Sequence, residues 1–204
     1  MITGGGPSRG TALGWRQRSV RHAAEVSSHE LTWCTAPQDV TAALHRDVLR
    51  CWVDVSNAGG AVGFPDLPVS AADVEPTLDA LVANLAPHHA GLLTAHDDEE
   101  LAGWLALTRP RSRLAGHWGS VTRVQTAPAC RGTGVGTLLM GEVARCAAED
   151  WGLDHLVLTV RGGTGTERFY ERLGWREHGR HPRALRLAPD DLRDEIHLWL
   201  PLSG

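Results

Sequence analysis

The sequence contains no lysine, so all 20 of its basic residues are arginines. This absence excludes every mechanism that needs a lysine amine: P-loop nucleotide hydrolysis, pyridoxal catalysis and the serine–lysine hydrolases. The arginines are outnumbered by 24 acidic residues, which gives a formal net charge of −4. A chain of this charge lacks the basic excess that drives binding to nucleic acid or to an anionic membrane, so we expect neither as a partner.

Cysteines are few and widely spaced. The four of them, Cys34, Cys51, Cys130 and Cys146, form no C-x-x-C pair or other short spacing typical of a zinc site or a disulfide framework. Neither the pair His88-His89 nor His96 has further ligands at a spacing suitable for a metal site. We therefore expect reduced, mostly buried thiols and no metal.

Long hydrophobic runs are also missing. The longest, Leu101 to Leu107, is far shorter than the roughly 20 residues that span a bilayer. The first 30 residues contain no apolar segment typical of a secretory signal. These features predict a cytoplasmic protein without a membrane partner.

The length of 204 residues and a hydrophobic content of 42% are typical of one globular domain. Residues 1–28 are rich in glycine, serine, arginine and alanine and show no apolar periodicity. We expect residues 1–28 to be a disordered tail and residues 29–204 to form a single domain. A homodimer is left open.

Apolar periodicity predicts helices and strands in mixed order. Thr35-x-x-Gln38 has the form of a capping box before a helix that reaches about residue 52, and Ser70 with Asp73 begins a second helix. Residues 92–95 and 101–108 are typical of a hairpin, and 118–126 of a further strand.

The remaining chain continues this alternation. A helix follows Gly134 and ends near Gly152, and a buried strand covers 156–160. Thr164-x-x-Glu167 is a second capping-box pattern, whose helix stops at Gly174. Two last strands are expected around 175–187 and 196–200. The pattern indicates a mixed α/β domain.

Between strand 118–126 and the next helix lies the segment Arg131-Gly132-Thr133-Gly134-Val135-Gly136. Alternate glycines let successive N–H groups point into one concavity, and a helix start adds about half a positive charge, so the segment predicts a diphosphate site. A glycine-rich turn that only permits tight packing is the alternative. Dinucleotide binding is disfavoured because the third glycine of G-x-G-x-x-G falls on Thr137.

Two segments, Val124 to Met140 and Phe169-Tyr170-Glu171-Arg172-Leu173-Gly174-Trp175, resemble the two signature motifs of the GNAT superfamily of N-acyltransferases. The resemblance covers about residues 30–200 and is strongest over 118–176. It implies a mixed, mostly antiparallel central sheet with two splayed strands, flanking helices and acetyl-CoA as co-substrate.

The resemblance also implies roles for single residues. Tyr170 corresponds to the tyrosine that protonates the departing thiolate in many members, although the only tyrosine of the chain would also suit a core position beside Phe169. Cys130 falls at the pyrophosphate end and is interpreted as structural. The implied cofactor contacts are made by main-chain and loop groups at Val124, Gln125, Thr126, Arg131, Gly132, Thr133, Gly134, Val135, Gly136 and Thr137.

The sequence departs from the family pattern at two places. Gly163 stands where many members carry an asparagine, and no acidic residue lies between 117 and 127, where some carry a general base. His117, or a water held by Ser120 or Thr122, is left to remove the proton from the acceptor amine.

Three functions remain open at this point. The first is acetyl transfer from acetyl-CoA to the primary amine of a small molecule, by direct attack in a ternary complex. The others are a non-catalytic acyl-CoA-binding regulatory module and an acetyltransferase for a protein amine. Residues 52–68 and 181–195 should line the acceptor cleft, and their acids either face it or are solvated loop charge; these are Asp54, Asp66, Asp190 and Asp191.

Overall fold

The computed structural model describes residues 29–60, 63–64 and 66–202. The tail expected at residues 1–28 lies outside the described residues. The helices and strands, in chain order, are β1 (Glu30–Cys34), α1 (Ala42–Asn57), α2 (Ala71–Ala83), β2 (Ala90–Asp97), β3 (Glu100–Thr108), β4 (Trp118–Thr126), α3 (Val135–Glu149), β5 (His155–Arg161), α4 (Glu167–Arg172), β6 (Arg176–Ala188) and β7 (Asp191–Pro201).

The seven strands form one sheet in the order β1-β2-β3-β4-β5-β7-β6. Every neighbouring pair is antiparallel except β4 and β5, which run parallel. A parallel pair needs a crossover connection, and α3 supplies it. The expected mixed, mostly antiparallel sheet with flanking helices is confirmed.

Two hydrophobic cores lie on opposite faces of this sheet. On one face, α1 and α2 pack on the first strands around the fully buried rings of Trp52 and Trp104, which meet edge to face at 5.2 Å. On the other face, α3 packs through Leu139 and Val143 against β3, β5 and β7. The middle of the sheet is therefore held from both sides.

The parallel pair separates soon after it begins. Trp118, Gly119 and Ser120 of β4 pair with His155, Leu156 and Val157 of β5, and the pairing ends there. The remainder of β4 and β5 diverges, as the predicted splay requires. The two strands are thus paired at their N-terminal ends and leave a gap between their C-terminal halves.

A β-bulge interrupts β4 at the start of this gap. Gln125 pairs with Trp104 of β3, but Thr122 already pairs with Ala106, so two residues of β4 oppose Leu105. One of the two, Arg123, has a φ of 56°, in the left-handed region that side chains rarely adopt. The bulge turns the strand where it leaves its parallel neighbour.

Capping residues predicted three helix starts, at Thr35, Ser70 and Thr164, and the first and last of these predictions are wrong. Residues 37–39 form a 3-10 turn in which the Asp39 carboxylate accepts the N–H groups of Thr35 and Ala36, each at 2.9 Å. Helix α1 begins later, because the Thr41 hydroxyl accepts the N–H of Leu44 at 3.1 Å.

At the second wrong site, Glu167 is the first residue of α4 and accepts the N–H of Gly163 at 3.0 Å. Thr164 therefore does not cap this helix, and its hydroxyl donates to the carbonyl of Arg161 instead. The helix start predicted at Ser70 and Asp73 is confirmed, since the Ser70 N–H donates to the Asp73 carboxylate at 2.8 Å directly before α2. Pattern alone did not distinguish a carboxylate that closes a turn from one that caps a helix.

The Thr41 cap gives a test with a matched control. Thr41→Ala should lower the free energy of unfolding by about 1 kcal/mol, because the Leu44 N–H loses its acceptor. Thr35→Ala should change it much less, since only the main chain of Thr35 takes part in the turn. Urea unfolding of both variants measures the difference, and equal losses would contradict the position given for the cap.

Candidate active site

The gap between the splayed strands opens into a cleft of about 1080 Å³. The C-terminal halves of β4 and β5 form its floor, the start of α3 and α4 form one side, and the segments after α1 and in β6 form the other. The walls predicted from residues 52–68 and 181–195 do reach the cleft, through residues 55–64 and 184–187 among those described, together with Glu195.

The glycine-rich loop lies at the start of α3, at the edge of the cleft. Gly132 and Gly134 have φ values of 82° and 96°, which glycine adopts without steric cost. The Leu138 N–H makes the first bond of the helix, to the Gly134 carbonyl at 3.0 Å. The N–H groups of the preceding residues, 135–137, have no acceptor within the helix. They lie at the positive end of α3, where this helix borders the cleft.

The free edge of β4 also faces the gap. The Ala127 N–H donates to the Ala102 carbonyl of β3 at 2.9 Å. Since successive N–H groups of a strand point to opposite edges, those of Thr126 and Val124 point away from β3 and towards the gap. The main chain of Gln125 then points to β3, so its side chain is the part that lines the cleft.

Tyr170 lines the cleft from α4. Its side chain is 8% exposed and meets the rings of Phe169 and Trp175 edge to face, at 5.0 and 6.0 Å between centroids. Burial raises the pKa of the Tyr170 phenol to about 12, so the hydroxyl stays protonated at neutral pH. The packing and the site interpretations of this tyrosine are therefore compatible.

The remaining candidates from the sequence lie in two places: in the cleft, and at the end of β4 that is still paired with β5. Thr122 and Cys130 line the cleft. His117 and Ser120 are not among its described lining residues; Ser120 lies in the paired part of β4, and the His117 ring lies 5.6 Å from that of His155. Of the two hydroxyls expected to hold a water, only that of Thr122 is placed to do so.

Gly163, the departure from the family pattern, has a left-handed backbone. Its φ is 78°, which glycine adopts without steric cost. A Cβ built on it would approach Nη1 of Arg193 to 2.6 Å, but this atom is the end of a flexible side chain and can move. The backbone conformation therefore suits glycine in the connection of β5 to α4.

Of the two alternatives for the acidic residues of these walls, the structure supports solvated loop charge. Asp54, Asp66, Asp190 and Asp191 are not among the described residues that line the cleft. The three first named are exposed, as solvated loop charge is. The charged side chains that do line it are Arg123, Arg131, Arg161, Arg186 and Glu195.

Two side chains on the α1 side of β4 were missed in the sequence, which singled out Gln125 for its main chain only and Arg123 not at all. The Arg123 guanidinium lies 5.0 Å from the centre of the Trp52 ring, and burial lowers its pKa. Gln125 is 1% exposed, and its amide nitrogen and oxygen have no hydrogen-bond partner in the described part of the chain. The available signal for Arg123 was that it is the one charged residue of the strand 118–126.

Within residues 29–60, 63–64 and 66–202, no three histidine, cysteine or acidic side chains come together in a way that would hold a metal ion. None of the described helices is both long enough and apolar enough to cross a membrane.

The fold matches those of several solved acetyltransferases. A protein assigned as a phosphinothricin N-acetyltransferase superposes with a TM-score of 0.65 at 20% identity, over 86% of this chain and all of that chain. The ribosomal-protein-S18-alanine N-acetyltransferase of Escherichia coli gives 0.61 at 15% identity, over 85% of this chain and 95% of that one.

A third structure, yncA of Salmonella typhimurium, is assigned as an acetyltransferase and was solved with its cofactor acetyl-CoA. It gives a TM-score of 0.62 at 16% identity, over 86% of this chain and 95% of that one. At these identities the comparisons show a shared fold. No curated protein matches the sequence.

The sequence itself carries the assignment of family. The model of the acetyltransferase (GNAT) family matches residues 42–175, which includes α1, the splayed strands, the glycine-rich loop and Tyr170. The chain belongs to the GNAT family of acetyltransferases.

Proposed function

We propose that the protein transfers an acetyl group from acetyl-CoA to the primary amine of a small molecule, by direct attack in a ternary complex. The observation that carries this proposal is the cleft between β4 and β5, which has a glycine-rich helix start at one edge and a protonated tyrosine within it. Acetyl-CoA supplies the activated acetyl thioester.

The loop and the start of α3 are suited to the pyrophosphate. The N–H groups of Val135, Gly136 and Thr137 and the positive helix end favour an oxyanion, and Arg131 adds a charge at the cleft. Gly132 and Gly134 have open space where a Cβ would stand, so the backbone is accessible. Thr133 closes the loop through its hydroxyl, which donates to the Cys130 carbonyl at 2.8 Å.

The free edge of β4 is suited to the pantetheine arm. The N–H groups of Val124 and Thr126 point to the gap that β5 vacates, where an amide chain can pair with them as a short strand would. This placement orients the thioester towards Tyr170 at the opposite side of the gap.

Tyr170 acts in the proposal as the acid. A thiol has a pKa of about 8.5 in water, so at neutral pH the departing sulfur must be neutralised as the new amide forms. The phenol is protonated at neutral pH, as an unburied tyrosine also is, and burial raises its pKa further, to about 12. It can donate its proton or a hydrogen bond to the sulfur. No cysteine intermediate is required.

A ligand and activity assay tests the proposal as a whole. Acetyl-CoA at 100 times its Kd should stabilise the folded protein by about 2.7 kcal/mol, and NAD should not, because NAD lacks the pantetheine arm that is proposed to pair with β4. Thiol release should follow when primary amines are added. Binding without release for small amines and for peptides alike would favour a non-catalytic module, and release for peptides alone a protein acceptor.

The glycine-rich loop gives a second test. Gly134→Ala should weaken acetyl-CoA binding at least tenfold, because a residue with a Cβ resists the φ of 96° and the N–H groups would shift. The control is Gly141→Ala, inside α3, where a Cβ meets nothing within 4 Å and the helix should gain about 0.5–1 kcal/mol. Calorimetry on both folded variants measures binding, and unchanged affinity for Gly134→Ala would remove the pyrophosphate from this loop.

Tyr170→Phe isolates the hydroxyl, because the ring still packs on Phe169 and Trp175. Its kcat should fall by roughly 10²- to 10⁴-fold, while the affinity for acetyl-CoA stays the same. Acyl donors with a more acidic thiol leaving group should partly restore the rate. A kcat close to that of the wild type would leave Tyr170 with a packing role only.

A further inference from the structure

We propose that the acceptor is an amine that carries an oxyanion, a carboxylate or phosphonate, and that Arg123 binds this oxyanion beside Trp52. The inference rests on the proposed function and specifies the acceptor of the same cleft.

Arg123 lies on the side of β4 opposite to the glycine-rich loop. Its guanidinium stacks on Trp52 of α1, whereas Gly136 of the loop lies near Thr126 on the α3 side of the sheet. The cofactor's phosphates are accounted for by the loop, so Arg123 faces the half of the cleft that remains for the acceptor.

The backbone holds Arg123 in an unusual conformation. A left-handed φ is unfavourable for a residue with a side chain, and the bulge between β3 and β4 maintains it here. The stacked Trp52 ring restricts the side chain further, and a Cβ on Gly63 would collide with the guanidinium. The Arg123 guanidinium is thus held in position before any acceptor binds.

The charge of the cleft favours an anion at this position. The Arg123 guanidinium is a cation in the cleft wall beside Trp52, and an oxyanion of the acceptor would be attracted to it. A guanidinium has five donors in a fixed plane, so it can bind a carboxylate or phosphonate through two parallel bonds while it keeps other contacts. Of the charged residues that line the described cleft, only Glu195 is acidic, which disfavours a polycationic acceptor.

Gln125 adds an independent observation on the same wall. It pairs with Trp104, whose ring touches Trp52, so its amide lies on the face that carries the Arg123 guanidinium. The amide nitrogen and oxygen are buried without a partner among the described residues. The wall that carries the Arg123 guanidinium therefore contains a second polar side chain.

Matched acceptors test the proposal in the thiol-release assay. Each amino acid is compared with its own carboxamide, which keeps the α-amine and the size but removes the negative charge, and with the corresponding aminophosphonate. The wild type should prefer the carboxylate or phosphonate member by at least tenfold in kcat/KM. The difference in amine basicity acts against this expectation, because the amine of the carboxamide is less basic and a larger fraction of it is unprotonated and able to attack. A preference for the oxyanion-bearing acceptor therefore cannot come from amine basicity.

Arg123→Met keeps the apolar stem over Trp52 and removes the charge. It should lower kcat/KM for the oxyanion-bearing acceptors by roughly 10- to 100-fold, mainly through KM, since hydrogen bonds to charged groups are worth about 1.5–3 kcal/mol. It should leave the carboxamides and the affinity for acetyl-CoA unchanged. Arg123→Lys should recover part of the preference, and Arg50→Gln, at an exposed site on α1, should have no effect.

A wild type that uses carboxamides as well as amino acids and aminophosphonates would overturn the proposal, as would an Arg123→Met variant with an unchanged preference. If no amine releases thiol, the proposed function fails separately. Calorimetry of the CoA-bound protein with the same matched compounds then decides the inference: tighter binding of the oxyanion-bearing member, lost in Arg123→Met, supports it, and equal binding overturns it.

Discussion

The rest of the site depends on the loss of backbone pairing between β4 and β5 after Ser120. Two strands that stayed paired would satisfy each other's N–H and C=O groups and leave no gap. Their separation exposes the free edge of β4, creates the cleft and places the start of α3 beside it. The two hydrophobic cores, one on each face, hold the sheet while its middle is open.

The bulge in β4 connects this opening to the acceptor that we propose. It occurs where β4 has just left β5, and it gives Arg123 the left-handed conformation in which its guanidinium meets Trp52. Val124 and Thr126 of the same strand present their main chain to the gap. In the proposed ternary complex, this one strand would offer backbone groups to the cofactor and the Arg123 side chain to the acceptor, which reduces the reorganisation required.

Tyr170 shows that a side chain can be packed and also line the site. The rings of Phe169 and Trp175 bury the phenol, and burial raises its pKa to about 12. Like an unburied tyrosine, it is protonated at neutral pH, as the proposed role of acid requires. Gly163 lies in the same connection between β5 and β6 and has a φ of 78°, which glycine adopts without steric cost.

The sequence by itself determined the order of helices and strands, strand 118–126, the glycine-rich loop and the position of Tyr170, because periodicity, positive-φ glycines and short motifs are local properties. It did not determine which threonine caps α1. Thr35 is followed by a capping-box residue, Gln38, and Thr41 by residues that favour a helix. Nor did it show that Arg123 and Gln125, rather than the loop aspartates, face the cleft. Only the tertiary structure decided this, because the direction of those side chains depends on the bulge opposite Leu105 and on the approach of Trp52 from a helix about 70 residues earlier in the chain.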